Sequence, residues 1–321
     1  PAVIYRNREW YVLNILVTGG AGFIGSHLVD TLIEAGHDVT VFDNLNSGRK
    51  EYIHKEARFR QGDIRDTEAL DRLFAGTVFD VVFHEAAQTQ VSYSMLHPRE
   101  DADVNVLGLI NVLEHCCRHD VKKILLSSSA AVYGNQETGL ADETIPVQPQ
   151  SFYGLTKAAG EAYAALYYRM YGLPYAVLRY ANVYGERQES SREAGVVSLF
   201  SRALASGTAM TIYGDGNQSR DFIYVKDAAA ASMAAMDAGV PSGIYNISTK
   251  IETTINALKE ILMYFAQIRS DVIYEDARHG DIYRSVLDNG KAVQTLNWRP
   301  KTKLLPGLMT TFSYFLGRDE R

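Results

Sequence analysis

Cysteine is nearly missing from this chain: of 321 residues only Cys116 and Cys117 carry a thiol, and they are adjacent. Two neighbours on one predicted helix make neither a disulfide framework nor a metal-ligand spacing, so a reducing, cytoplasmic setting is expected. The eight histidines are scattered without an H-x-x-x-H or Cys/His cluster, which argues against a metal. Blocks of basic residues are lacking and the net charge is −6, so nucleic acid is not the expected partner. No apolar run approaches the ~20 residues of a membrane-spanning helix. The opening PAVIYRNREWY lacks the apolar core of a signal peptide and reads as an extension, residues 1–11, ahead of the first strand. What is left, 46% hydrophobic and 22% charged with 8 prolines, is ordinary globular composition, with length for about two domains.

The organising stretch is residues 12–43, VLNILVTGGAGFIGSHLVDTLIEAGHDVTVFD. The apolar run from Val12 to Val17 predicts a buried strand. After Gly19-Gly20-Ala21-Gly22-Phe23-Ile24-Gly25 the period changes, and Phe23, Ile24, His27, Leu28, Thr31 and Leu32 recur at helical spacing. A second strand, Asp38 to Phe42, then delivers Asp43. Gly20, Gly22 and Gly25 satisfy G-x-G-x-x-G, while Gly19, Gly22 and Gly25 satisfy G-x-x-G-x-x-G. Such glycines permit a tight strand-to-helix turn, backbone approach to a pyrophosphate, and close helix–strand packing. The helix N-terminus beyond them offers free N–H groups to phosphates. Asp43 stands where a carboxylate meets the adenosine ribose in dinucleotide sites. Its charge would repel a 2′-phosphate, so NAD is expected rather than NADP.

Strands continue to alternate with helices through the first half: Arg58 to Arg60, Thr67 to Phe74, Val78 to His84, a long helix from Arg99 to Arg118, Val121 to Leu126, Tyr153 to Tyr171 and Tyr175 to Arg179. This alternation predicts an α/β fold with a Rossmann-type, doubly wound parallel sheet. The expected division is an NAD-binding domain over residues 12–180 and a smaller α/β substrate domain over 181–321, with some later segments returning to the first. The smaller part should cap the carboxyl ends of the strands, where ligands bind in such sheets. The helix YGLTKAAGEAYAALYYRMY is apolar or aromatic on nearly every face and wants cover on both sides. One side is expected against the sheet and the other against a second subunit in a homodimer.

Tyr153 and Lys157 stand four apart at the start of that helix and share a face. A free tyrosine, with a pKa of about 10, is unsuited to taking protons at neutral pH. A lysine ammonium nearby, together with the positive nicotinamide of an oxidised cofactor, would favour the phenolate. Ser129, at a strand end, is placed to hydrogen-bond the same oxygen. His84, also at a strand end, reads as a satisfied structural residue rather than a catalyst.

With these residues in view the chain resembles the extended short-chain dehydrogenase/reductases, in particular nucleotide-sugar epimerases of the UDP-glucose and UDP-N-acetylglucosamine 4-epimerase group. The resemblance rests on TGGAGFIGSH, VFDNLNSG, GDI at 62–64, SSSAAVYG, PQSFYGLTK, RYANVYGERQ, SRDFIYVKD and ARHGDIYRS, which appear in that order over most of the chain. It implies Ser129, Tyr153 and Lys157 as the catalytic trio, with Tyr153 the base and Lys157 also holding the nicotinamide ribose. Against NAD it implies Gly19, Gly22, Phe23, Ile24, Gly25, Asp43, Asn44, Asp63, Ile64, Ala86, Ala87, Gln88, Asn105 and Ser127. Against a UDP-sugar it implies Asn182, Val197, Arg220, Arg278 and Ser285, beside Ser129 and Tyr153.

The activity so implied is reversible oxidation at C4 of the sugar through a transient 4-keto form, with no net redox change. Sugar 4,6-dehydratases in this fold need an acidic pair just before Val-Tyr-Gly, where this chain has Ala130 and Ala131. A UDP-glucuronate epimerase or decarboxylase stays open, since it would use the same trio, and a non-catalytic NAD-sensing protein is the rival from another class. In the family, a small residue seven positions after the arginine of Arg-x-Gly-Asp admits an N-acetyl sugar. Here that residue is Ser285, with the larger Tyr283 and Arg284 beside it.

Overall fold

The apolar run ahead of Gly19 folds as β1 (Asn14–Thr18), and its Ile15, Leu16 and Val17 have no exposed surface. A strand buried on both faces belongs inside a parallel sheet, and burying each such side chain contributes about 1.5–3 kcal/mol. The computed structural model describes residues 12–188, 195–278 and 280–319; the extension expected over residues 1–11 lies outside them.

From β1 the chain continues through α1 (Phe23–Glu34), β2 (Asp38–Asp43), β3 (Arg58–Gln61), α2 (Thr67–Ala75), β4 (Val81–His84), α3 (Val91–Leu96), α4 (Pro98–Ala102), α5 (Gly108–Arg118), β5 (Lys123–Ser129), α6 (Phe152–Tyr171) and β6 (Tyr175–Tyr180). Then follow β7 (Asn182–Tyr184), α7 (Val196–Ser206), β8 (Met210–Tyr213), β9 (Ser219–Tyr224), α8 (Val225–Ala235), β10 (Gly243–Ile247), β11 (Glu252–Thr254), α9 (Ile255–Ala266), β12 (Val272–Glu275), β13 (Arg284–Ser285), α10 (Gly290–Thr295) and α11 (Leu304–Asp319).

A seven-stranded sheet has the order β10-β6-β5-β4-β1-β2-β3, and every pairing in it is parallel. This is the doubly wound, Rossmann-type α/β arrangement. One face buries Leu28, Leu32, Ala228 and Ala231 from α1 and α8; the other buries Leu70, Leu113 and Ala164 from α2, α5 and α6. β10 closes the sheet's edge beside β6 (Ile244↔Val177). The remaining strands form two small sheets, β7, β11 and β13 around β9, and β8 with β12. They pack with α7, α9 and α11 over a separate core that includes Phe200, Leu258 and Leu308.

The single helix expected over Arg99–Arg118 is interrupted. Between α4 and α5 the backbone widens into a π turn at Asp103–Leu107, a form of bulge often found at functional sites, and Asn105 is buried there. The strand expected from Val78 begins only at Val81, leaving Val78 76% exposed. Among the described residues no helix is long and apolar enough to cross a membrane, and no group of three or more His, Cys, Asp or Glu could hold a metal ion.

Candidate active site

The crossovers from β1 and β4 leave the sheet in opposite directions, and a cleft of about 890 Å3 opens between their carboxyl ends. This is the topological switch point at which open α/β sheets bind ligands. Gly19 has φ +70°, and a Cβ there would lie 2.5 Å from the Ala86 amide nitrogen across the switch point. A Cβ on Gly25 would lie 2.3 Å from the Gly19 carbonyl oxygen. Any side chain at either position would therefore push helix and strand apart. No side chain caps the N-terminus of α1 and no acid occupies its first turn, so its leading N–H groups face the cleft free for an anion. A dinucleotide pyrophosphate fits this cradle.

Asp43 ends β2 at the adjoining wall. Its Oδ2 accepts from the Ala21 N–H at 3.0 Å and its Oδ1 from the Leu45 N–H at 2.8 Å. Burial pushes its carboxyl up, while the two backbone donors pull it down. Asp63 accepts from Asn44 Nδ2 at 2.9 Å and from Arg65, whose guanidinium holds the Asp63 carboxyl well below the usual range. Phe23, Ile24, Asn44, Asp63 and Ile64 all line the cleft with the glycines.

On the other side of the switch point, β5 delivers Ser127, Ser128 and Ser129. Ser151 caps α6 by accepting from the Gly154 N–H at 3.1 Å, which sets Tyr153 and Lys157 in the first two turns facing those serines. Lys157 Nζ donates to the Ser127 carbonyl at 2.9 Å. Tyr153 hydrogen-bonds Ser129, and the three side chains share the cleft wall.

The electrostatics correct one expectation. Burial pushes the Tyr153 hydroxyl up to about 12, and the Ser129 hydrogen bond, not Lys157, is what pulls it down. The lysine ammonium lies 5.8 Å from the tyrosine ring centre and is engaged with Ser127. Lys157 itself is pulled down to about 8 by burial, against the carboxylates of Glu85, Asp101 and Glu161. The protein alone therefore leaves Tyr153 a phenol at neutral pH, and its base form needs further positive charge.

Ala86, Ala87 and Gln88 line the cleft, but Asn105 sits behind that wall and grips Gln88. His84 is buried and shares a 3.0 Å hydrogen bond with Thr18, as expected of a structural strand-end residue. Asn182, Arg220 and Ser285 line the cleft from the smaller unit. Val197 does not: it is 1% exposed within that unit's core. Arg278 is not on the lining either; its guanidinium stacks 3.6 Å from the Tyr213 ring centre, and its charge reaches Asp281, which does line the cleft. The sequence puts Glu85 at the cofactor edge but gives it no role, and gives none to Arg187, Gln188 or Asp281; all four are on the lining. The signal for Glu85 was its place as the first residue past a central parallel strand.

A family profile described as the NAD dependent epimerase/dehydratase family matches residues 15–248. A putative UDP-glucose 4-epimerase of Methanocaldococcus jannaschii is 46% identical over 92% of this chain and 95% of its own length. The solved UDP-glucose 4-epimerase of Thermotoga maritima with UDP-glucose superposes with a TM-score of 0.93 at 42% identity, covering 95% of this chain and 99% of that one. The UDP-N-acetylglucosamine 4-epimerase of Methanobrevibacter ruminantium, solved with UDP-N-acetylmuramic acid, gives 0.90 at 36% identity, covering 96% and 99%.

Proposed function

This chain belongs to the NAD dependent epimerase/dehydratase family, and from that premise we propose that it inverts C4 of a UDP-hexose through a 4-keto sugar. The observation that supports this reading is the meeting of Ser129, Tyr153 and Lys157 on one wall of the cleft that the glycine turn opens. NAD, when bound, supplies an acceptor for the C4 hydride and gives the hydride back, so the reaction is redox-neutral. The Gly19–Gly25 turn and the N-terminus of α1 would hold its pyrophosphate, Asp43 its adenosine ribose, and Asp63 with Ile64 its adenine.

Tyr153 takes the proton of the 4-hydroxyl and later returns it, with Ser129 holding the same oxygen in line. The phenolate that this requires is favoured by the positive charge of the oxidised cofactor, because burial otherwise keeps the phenol protonated. Arg220 and Asn182 anchor the substrate diphosphate, a task suited to a guanidinium fork. The hexose itself is left loosely held, so it can turn and present its other face.

Acceptance of N-acetylated sugars is part of the proposal. Of Tyr283, Arg284 and Ser285, only the small Ser285 faces the cleft; Arg284 pairs with Glu252 at 2.7 Å and Tyr283 donates to Asp215 at 3.1 Å. Incubation with UDP-galactose, UDP-N-acetylgalactosamine and UDP-glucuronate separately, with products read by NMR, tests the reading. C4 epimers of the first two support it. A decarboxylated or dehydrated product alone would replace it.

A homodimer through α6 belongs to the same proposal. Leu155, Leu166, Tyr168 and Met170 are exposed on that helix, an apolar surface of the kind that subunit contacts cover. Sedimentation showing a monomer at all concentrations would remove it.

A further inference from the structure

Glu85 is a carboxylate on the floor of the cleft to which the reaction outlined above gives no task. It follows the last paired residue of β4 (His84↔Leu126) and is tied to β1 by its N–H, which donates to the Thr18 carbonyl at 3.0 Å. Ser127 Oγ donates to Glu85 Oε2 at 2.6 Å, and the carbonyl of the same Ser127 accepts from Lys157 Nζ at 2.9 Å. One serine thus joins the glutamate to the lysine through its side chain and its main chain.

We propose that Glu85 is a positioning residue for the C4 reaction: its carboxylate, joined to Lys157 across Ser127, keeps that lysine charged and fixed beneath Tyr153. This rests on the epimerase reading for the task of Lys157, which the resemblance gives as holding the nicotinamide ribose beside Tyr153, but not for the pairing itself.

Other groups face Lys157, and none is as free to serve. On β4, His84 is held neutral by burial, with Lys157 adding to the effect. From α4, Asp101 accepts from Gln88, Asn105 and Thr156. On α6, Glu161 is paired with Arg179 of β6 by two contacts and also accepts from Ser128, while Tyr153 turns to Ser129. Tyr180 of β6 bonds Ser232 and stays a phenol, raised by burial and by Glu85. Glu85 is the first of the charges that hold the Lys157 ammonium against desolvation. Burial pushes the Glu85 carboxyl up, and the Ser127 hydrogen bond and the Lys157 charge are what hold its ionised form against that burial.

The test is a 13Cε-lysine NMR titration of the full-length NAD-loaded protein, with the Lys157 signal assigned by Lys157→Arg. In Glu85→Gln the Lys157 midpoint should fall by about one pH unit or more, a tenfold loss of the charged form at a given pH above it. Glu85→Asp should restore it, and Glu85→Ala gives the same reading should the glutamine variant fail to fold. A midpoint unchanged in both neutral variants overturns the proposal. In turnover of UDP-galactose, the alkaline limb of kcat should move to lower pH with the midpoint. A kcat lowered equally at every pH would make Glu85 merely structural and would also overturn it. A shifted midpoint without turnover of any UDP-sugar would uphold the pairing and sink the reaction reading instead.

Discussion

Asn105 holds the main chain of Gln88 by both edges: its Oδ1 accepts from the Gln88 N–H at 2.8 Å, and its Nδ2 donates to the Gln88 carbonyl at 3.0 Å. The π turn that aims Asn105 inward thus fixes the wall against which the cofactor is expected to lie. Asn105→Ala strands both Gln88 groups, and each buried unpaired group costs about 1–3 kcal/mol. Urea denaturation should show a loss of at least that size, with weakened NAD retention. Unchanged stability would mean that the wall does not depend on this residue.

Gly25→Ala places a methyl group against the Gly19 carbonyl and the Gly20 backbone, neither of which can rotate away. Overpacking of this kind costs about 1–3 kcal/mol, and α1 must retreat from the cradle. The purified variant should release much less NAD per chain on denaturation than the parent does.

Tyr153→Phe removes the base and leaves the ring in place. Loss of a general acid–base typically costs 10²–10⁴-fold in rate, so turnover should fall by about that factor while nucleotide binding persists. Full activity in this variant would reassign the base.

Ser285→Tyr puts a phenol on the cleft lining in place of a hydroxymethyl. Turnover of UDP-N-acetylgalactosamine should drop by about two orders of magnitude or more, with UDP-galactose much less affected; equal losses on both sugars would argue that residue 285 does not gate the acetyl group. A deficit of about 3 kcal/mol corresponds to that ratio.

His84 contributes a pH dependence of known sign. Burial, followed by the charge of Lys157, lowers its pKa to about 3 from an ordinary 6.5. Between those values the unfolded chain binds a proton that the folded chain refuses, so stability rises with pH across this window and falls on acidification. One such proton is worth about 1.4 kcal/mol per pH unit. Urea denaturation of His84→Gln should show a shallower decline from pH 6 to pH 4 than the parent; parallel curves would assign the acid sensitivity elsewhere.

Much of this site could be read from residues alone because its determinants are local. The glycine turn, Asp43, and the i, i+4 pair Tyr153 and Lys157 each need only a strand or helix boundary to be recognised. What could not be read depended on distant partners. Lys157 was expected to act on Tyr153 directly, yet its ammonium is turned to a carbonyl on β5. Asn105 lies behind the wall rather than on it, because a π turn shifts helix phase without altering composition. Arg278 carries the expected charge but stacks on Tyr213 of β8, far from it in sequence and so without any local cue. Glu85 could be placed at the cofactor edge from the sequence, but its link to Lys157 through Ser127 depends on β5 and α6, which no local pattern brings to it.

The outermost strand of the large sheet has a consequence for how the protein is made. β6 is complete at Tyr180, but β10, its partner on that side, ends only at Ile247. At roughly 5–20 residues per second of synthesis, β6 emerges several seconds before its edge can be covered. An uncovered strand edge is a template for pairing with another chain. Slower translation beyond Tyr180 would lengthen that exposure, and a nascent chain halted between the two strands would keep the β6 edge open to pairing with another chain.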